Sequence, residues 1–416
     1  MKIFKRKTLG KIKPGLVILI LIVLIAVSTI TGVLLRRYIF DGKEPFILLE
    51  SVSIDGGNNG LDGSIGIVYD PINNILYAAG FVSTSSQGTD IWLAKFTDNL
   101  IQIKNITLNG STNGDDMGYT LVLDEEGFLY VIGYITNDYG RSIWVAKYDS
   151  ELSQKNELTI DGQMTSDIDE GYGILYDGST YIYIAGTITT TTGHDIFIGK
   201  LDKSLDIVDY FVLNGPSNNT DKARFLALDD SGYLYVSGSI NNFGTNYDIW
   251  LGKLDTDLNL IANQSVAGPT TGEDKGYGLL IDNFGSIYIV GTMTEVGEGY
   301  NLWLAKYTND LTLLKNVTYD GPVNGEDVAY TMILAEDGYF YLAGVYTESI
   351  GGSNIFLARF TTQLELKTYQ TVKGYNDEYD TGYGIIKGIG KTIYLSGCIT
   401  DENEGGNIWF AHYEIK

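Results

Sequence analysis

Cysteine and histidine are almost missing from this chain: Cys398 is the single cysteine of 416 residues, and His194 and His412 are the two histidines. An intramolecular disulfide framework is thereby excluded, and no Cys/His set with zinc-ligand spacing can be assembled. Proline is scarce, with six residues, and helix-length hydrophobic periodicity is absent beyond the first 45 positions. No nucleophile elbow, phosphate loop or EF-hand loop occurs, so the common signatures of hydrolases, nucleotide binders and calcium sensors are lacking. Glycine and tyrosine are plentiful instead, with 51 and 31 copies, and 44% of residues are hydrophobic. Such a profile describes many short strands and turns rather than disorder.

The N-terminal region differs from the rest. Residues 16–35, LVILILIVLIAVSTITGVLL, carry no charge, and as a helix they would span about 30 Å, the thickness of a bilayer core. Six basic residues precede this stretch (Lys2, Lys5, Arg6, Lys7, Lys11, Lys13) and three follow it (Arg36, Arg37, Lys43). That imbalance predicts a cytoplasmic segment 1–15, a transmembrane anchor 16–35, a linker 36–45 and an extracellular domain 46–416. A cleaved signal peptide is the competing reading, but its apolar region is usually about 7–15 residues long. Residues 1–43 hold nine of the 28 Lys+Arg and one of the 52 Asp+Glu, which leaves 19 and 51 from residue 44 onward and a net charge of −32. This field repels nucleic acid and favours cations or basic partners.

The exported part repeats with a period of 53 residues. Seven related segments, DIWLAKF, SIWVAKY, DIFIGKL, DIWLGKL, NLWLAKY, NIFLARF and NIWFAHY, place Trp92, Trp144, Phe197, Trp250, Trp303, Phe356 and Trp409 in register. Gly80, Gly133, Gly186, Gly238, Gly291, Gly344 and Gly397 recur in step, each three residues after a tyrosine. Each unit reads as four short strands, which at this period describes the blade of a β-propeller. The last unit stops after a third strand, while residues 46–54 form a lone strand of the fourth type. The expected fold is therefore all-β, a seven-bladed propeller of four-stranded antiparallel blades, closed by its N-terminal strand and preceded by one transmembrane helix. The repeated aromatic residues are expected to pack between blades.

Stretches such as DMGYTLVLDEEGFLYVIGYIT (Asp116 to Thr136) and DKGYGLLIDNFGSIYIVGTMT (Asp274 to Thr294) resemble the bacterial and archaeal propeller repeats called SBBP repeats. The resemblance runs through all seven copies and implies a propeller in a surface or secreted protein. It implies no particular activity. The fourth copy departs from the pattern in TDKARFLALDD, and in the first Ile65 stands at the tyrosine position.

One aspartate recurs before the innermost strand of every copy: Asp62, Asp116, Asp169, Asp221, Asp274, Asp327 and Asp380. Acidic neighbours (Asp115, Asp167, Glu170, Glu273, Glu326, Asp377, Glu378) thicken the set. A ring of carboxylates at one channel mouth suits a hard cation such as calcium or a positively charged partner. The structural reading is that each Asp hydrogen-bonds turn amides, or pairs with the cation repeated on the third strand at Lys95, Lys147, Lys200, Lys253, Lys306, Arg359 and His412. Two residues break the repeat. Arg224 replaces the tyrosine of the other copies and suits an anionic ligand or a structural ion pair, while His194 stands alone in TTTTGHDIF without an acid/base partner.

Three functions follow from these residues. The first is a non-enzymatic, membrane-anchored surface scaffold that binds a surface protein, a glycan or a cation, with no cofactor beyond a possible calcium. The second is a hydrolase or lyase assembled at the channel mouth from Glu170, Arg224 and nearby acids. The third is an architectural component of the cell envelope.

Overall fold

The structure, a computed structural model, describes residues 46–416 apart from Asn59, Ser86, Gln87, Thr165, Ser166, Thr245, Glu298, Ile350, Gly351, 376–378 and Asn403. Among the described residues no helix is long and apolar enough to cross a membrane, and the apolar stretch 16–35 lies outside them.

Seven antiparallel sheets of four strands form the seven blades, and the two-residue strand Asp167–Ile168 adds in parallel to the third strand of the second blade. Their inner strands, labelled a, are Gly63–Asp70, Met117–Leu123, Glu170–Tyr176, Lys222–Leu228, Lys275–Ile281, Val328–Leu334 and Thr381–Lys387. Strands b, c and d follow outward from each. In blade 1 strands b and c (Ile75–Ser83 and Thr89–Thr97) are buried at almost every position, whereas strand d (Gln102–Leu108) alternates exposed with half-buried residues. This difference explains the continuous apolar runs in the middle of each unit. Strands b and c are covered on both faces by neighbouring blades, and strand d only on one.

The core accordingly lies between blades rather than along a single axis. Tyr235, Ile249 and Leu251 of blade 4 pack against Leu279, Ile287, Ile289 and Trp303 of blade 5. The repeated aromatic residues are interior, with Trp250 and Trp303 fully buried. The repeated glycine of strand b answers a close approach. A Cβ at Gly133 would lie 1.8 Å from the Met117 carbonyl oxygen, and one at Gly344 would lie 1.9 Å from that of Val328. In each blade strand a bulges just past this glycine.

The turns from c to d hold a feature that composition does not suggest. Leu100, Leu152, Leu205, Leu258, Leu311 and Leu364 adopt φ angles between 53° and 66°. A left-handed conformation costs a branched residue about 1–2 kcal/mol. All six side chains are buried at 4% exposure or less, and burying a leucine contributes about 1.5–3 kcal/mol, so packing outweighs the backbone strain.

Closure follows the sequence expectation. Strand Phe46–Ile54 pairs antiparallel with Glu404–Ile415 as the outer strand of blade 7, with Phe46 opposite Ile415 and Ile54 opposite Ile408. Phe46 is fully buried and meets Tyr341 of blade 6 edge-on at 5.9 Å. Deleting residues 46–54 removes the Phe46 and Val52 side chains from the core, roughly 3–6 kcal/mol at about 1.5–3 kcal/mol each, and bares the edge of strand c. The deletion variant is expected to melt well below the parent and to associate with rising concentration. A variant that melts like the parent and remains monomeric would contradict this closure.

Candidate functional site

The seven repeated aspartates occupy one geometry. Each side chain is buried to within 1% of full exclusion from solvent, and each carboxylate accepts two backbone N–H groups. In blade 4, Asp221 Oδ2 accepts from Gly215 N at 2.5 Å and Oδ1 from Asn241 N at 2.7 Å. In blade 6, Asp327 accepts from Gly321 N at 2.5 Å and Thr347 N at 2.7 Å. Asp62, Asp116, Asp169, Asp274 and Asp380 repeat the pair with their own glycine and strand-b amides. The backbone N–H of each Asp in turn donates to a carbonyl at the start of the preceding blade's strand c, as from Asp221 to His194 O at 2.6 Å and from Asp62 to Gly406 O at 2.6 Å. One residue thus joins three segments: the end of the previous strand d, the start of the previous strand c and the end of its own strand b.

Among the described residues no salt bridge joins these aspartates to the repeated cations. The cations point to the opposite rim, where Lys95 Nζ donates to Ser150 O at 3.0 Å, Lys147 to Lys203 O at 3.0 Å and Lys200 to Thr256 O at 2.7 Å, each on the next blade. The repeated tyrosines join them there. Tyr183 donates to the same Thr256 carbonyl at 3.1 Å, and Tyr394 of blade 7 donates to Asp98 O of blade 1 at 2.9 Å. Arg359 bonds Asp337 at 2.9 Å, and His412 stacks on Tyr394 at 4.2 Å.

Among the described residues no three His, Cys, Asp or Glu side chains are grouped so as to hold a metal ion. Both oxygens of each repeated aspartate are engaged by backbone amides, which favours the turn-holding role over a calcium ring. Asp377 and Glu378, two of the acidic neighbours, lie outside the described residues. Millimolar calcium is expected to change the melting temperature no more than sodium chloride at matched ionic strength. A calcium-specific rise that vanishes in Asp274→Asn and Asp327→Asn would reverse this conclusion.

Burial pushes the Asp116, Asp221 and Asp327 carboxyls up to about 6 against the opposing pull of their backbone amides, and it raises Asp62, Asp274 and Asp380 as well. A carboxyl whose folded value exceeds its unfolded one, ~3.9, binds its proton more tightly when folded. Its stabilising contribution is full below the unfolded value and is lost as pH rises through the folded one. The melting temperature is therefore expected to climb by a few degrees as pH falls from 7.5 to 5.5. High salt during the melt screens general surface repulsion. A fall over that window would mean that the amide bonds keep these carboxylates ionised.

The same rim carries a second, unrepeated set. The residue after each aspartate begins strand a and varies from blade to blade: Gly63, Met117, Glu170, Lys222, Lys275, Val328 and Thr381. Glu170 is buried at 4% exposure. It accepts from Arg141 Nη1 and from the Tyr172 hydroxyl, and Lys222 Nζ lies 3.3 Å away. Lys222 also donates to Tyr172 Oη at 2.5 Å. Arg141 lies over the Tyr134 ring at 4.4 Å and reaches Asp115 at 3.4 Å. Burial favours the neutral form of Glu170, but Lys222, the Tyr172 hydroxyl and Arg141 outweigh it and hold the carboxyl below its usual range. Burial, supported by the charge of Arg224, pushes the Lys222 ammonium down despite Glu170.

Two residues further along strand a, tyrosines from neighbouring blades converge. Tyr119 and Tyr172 meet at 5.0 Å, Tyr277 and Tyr330 at 5.0 Å, and Tyr330 and Tyr383 at 5.4 Å between ring centroids. Arg224 fills the gap in this ring, its guanidinium carbon 5.8 Å from the Tyr172 centroid and 5.0 Å from that of Tyr277, with Nη1 donating to Ser239 Oγ at 2.7 Å. The mouth's ion pairs join Arg141 to Glu170 and Asp115, Lys222 to Glu170, and Lys275 to Glu273. Among the described residues Arg224 takes part in none of them and is held by the two rings and Ser239. His194 Nδ1 lies 3.0 Å from Thr189 Oγ1, apart from this cluster.

No protein-family model matches the chain. Comparison with curated proteins finds no match either. Among solved structures, Sqt1 from Chaetomium thermophilum aligns with a TM-score of 0.47 at 11% identity, covering 86% of this chain and 85% of that one. Drosophila Plexin A in complex with Semaphorin 1b aligns at 0.47 and 9%, covering 88% and 87%. The AfRom2 CNH domain aligns at 0.44 and 11%, covering 88% and 98%. At these scores and identities they are likenesses of overall form and say nothing of function.

Arg141, Lys222 and Lys275 were not singled out by the sequence reading. The signal for Lys222 and Lys275 was available in the column that follows each repeated aspartate, where glycine, methionine, glutamate, lysine, valine and threonine alternate in an otherwise regular frame. Arg141 had no such signal, because it reaches the cluster from the start of strand c of the preceding blade.

Proposed function

We propose that the chain is a membrane-anchored, extracellular, non-enzymatic binding scaffold whose partner meets the channel mouth on the aspartate rim. The observation that carries this reading is the gathering of unrepeated charged groups at that mouth. Arg141, Glu170, Lys222, Arg224 and Lys275 gather on this rim of a frame that is otherwise sevenfold, with Lys222 and Arg224 beside the converging tyrosines Tyr172 and Tyr277. Repeated residues serve the scaffold, and residues that depart from the repeat are available for recognition. The apolar stretch 16–35 with its basic flank supports an anchor with a cytoplasmic N-terminus and an exported propeller. The described propeller begins at Phe46, beside Ile415 at the end of strand c, on the rim opposite the repeated aspartates. A net charge of −32 beyond residue 43 argues against nucleic acid as the partner.

A hydrolase or lyase has one observation in its favour, the meeting of Glu170 and Lys222 at 3.3 Å. Glu170 is, however, already engaged by Arg141, Lys222 and Tyr172, and a carboxylate so neutralised is a poor general base. Binding suits this arrangement better than proton transfer.

The test combines a glycan array with pull-down of surface proteins, using the full-length chain and its Lys275→Glu variant. Capture of a defined glycan or surface protein by the parent, weakened at least tenfold in the variant, is expected. Capture that the charge reversal leaves unchanged would move the binding surface away from the mouth.

A further inference from the structure

Arg224 is out of place electrostatically. From residue 44 onward acidic residues outnumber basic ones 51 to 19, yet among the described residues this half-buried guanidinium joins none of the mouth's ion pairs. Ser239 takes one of its N–H groups, and the rings of Tyr172 and Tyr277 hold its position from either side. A guanidinium carries five donors in a planar fork, so hydrogen-bonding capacity remains. Lys222 and Lys275 begin the strands of this blade and the next, and they add positive charge beside it. The five aligned tyrosine positions and Arg224 show what was exchanged: an aromatic residue for a cation, at one point of the ring.

We propose that Arg224 seats the carboxylate of a small organic monoanion, whose body rests against the neighbouring tyrosine rings. The proposal rests on the reading of the mouth as the binding site. Two physical arguments narrow the class. A planar carboxylate matches the guanidinium fork with two parallel hydrogen bonds, and tyrosine rings offer apolar area with a polar tip, which suits a sugar ring. The domain's own negative field repels polyanions, so the ligand carries a single charge. A monocarboxylated saccharide meets all three conditions.

The probe is sodium glucuronate, titrated calorimetrically into the full-length chain, with glucose and sodium sulfate at matched ionic strength as comparators. Glucuronate is expected to bind the parent, glucose at least tenfold more weakly, and Arg224→Tyr to bind glucuronate at least tenfold more weakly. That variant restores the residue found in five other blades. Arg224→Gln, which keeps a donor for Ser239, supplies the same measurement should the tyrosine variant melt early. Absence of glucuronate binding to the folded parent, equal binding by both variants, or sulfate binding as well as glucuronate would each overturn the assignment. Partner capture that Lys275→Glu abolishes but Arg224→Tyr preserves, with no glucuronate binding, would sink this inference and leave the wider reading standing.

Discussion

The aspartate clasp is the interaction on which the ring depends. Asp221 illustrates it: two backbone amides, from Gly215 and Asn241, fall on one carboxylate, and the residue's own N–H holds the carbonyl of His194 in the preceding blade. Three backbone segments that otherwise end in a loop are fixed at a single point. Their hydrogen-bonding groups would be costly to leave unpaired in a buried place. Because the side chain must reach amides on both flanks, glutamate is too long and asparagine would set an N–H against an N–H. Aspartate meets both requirements in all seven blades.

A second set of contacts works at the other rim with different chemistry. There the strand-b tyrosine and the strand-c lysine of one blade both donate to a single carbonyl in the c-to-d turn of the next, as Tyr183 and Lys200 do to Thr256. The turn that offers this carbonyl is built by a leucine in a left-handed conformation, Leu258 in that case, whose side chain is buried. Blade-to-blade register is thus held at top and bottom by polar contacts and between them by interlocked aromatic and aliphatic residues. The ring closes through the same devices, with Asp62 bonding Gly406 and Gly56, and Tyr394 bonding Asp98.

Against so regular a frame, the mouth around Glu170 and Arg224 stands apart. The clasp makes each strand a begin at the same height on the rim, so the residue after the aspartate always enters the same ring of positions. Substitution there changes the chemistry of the mouth without disturbing the blades. Lys222, Lys275 and Glu170 exploit that freedom, and Arg224 exploits the corresponding freedom two residues deeper.

The fold was legible in the sequence because a blade is a local object. Its four strands, its turns and the period of 53 residues lie close along the chain, and the fragments at Phe46 and at Ile415 reveal their complementarity by type. The aspartates were legible as a repeat, but their partners were not, since a carboxylate in sequence does not disclose whether an amide, a lysine or an ion meets it. Tertiary structure decided that, by burying each carboxylate between two amides and sending the lysines to the opposite rim. It also decided the grouping of Arg141 with Glu170, Lys222 and Arg224, residues as far apart as 83 positions. Convergence at a ring axis depends on how blades are placed about it, and that placement is set by packing between units, which periodicity within a unit does not encode.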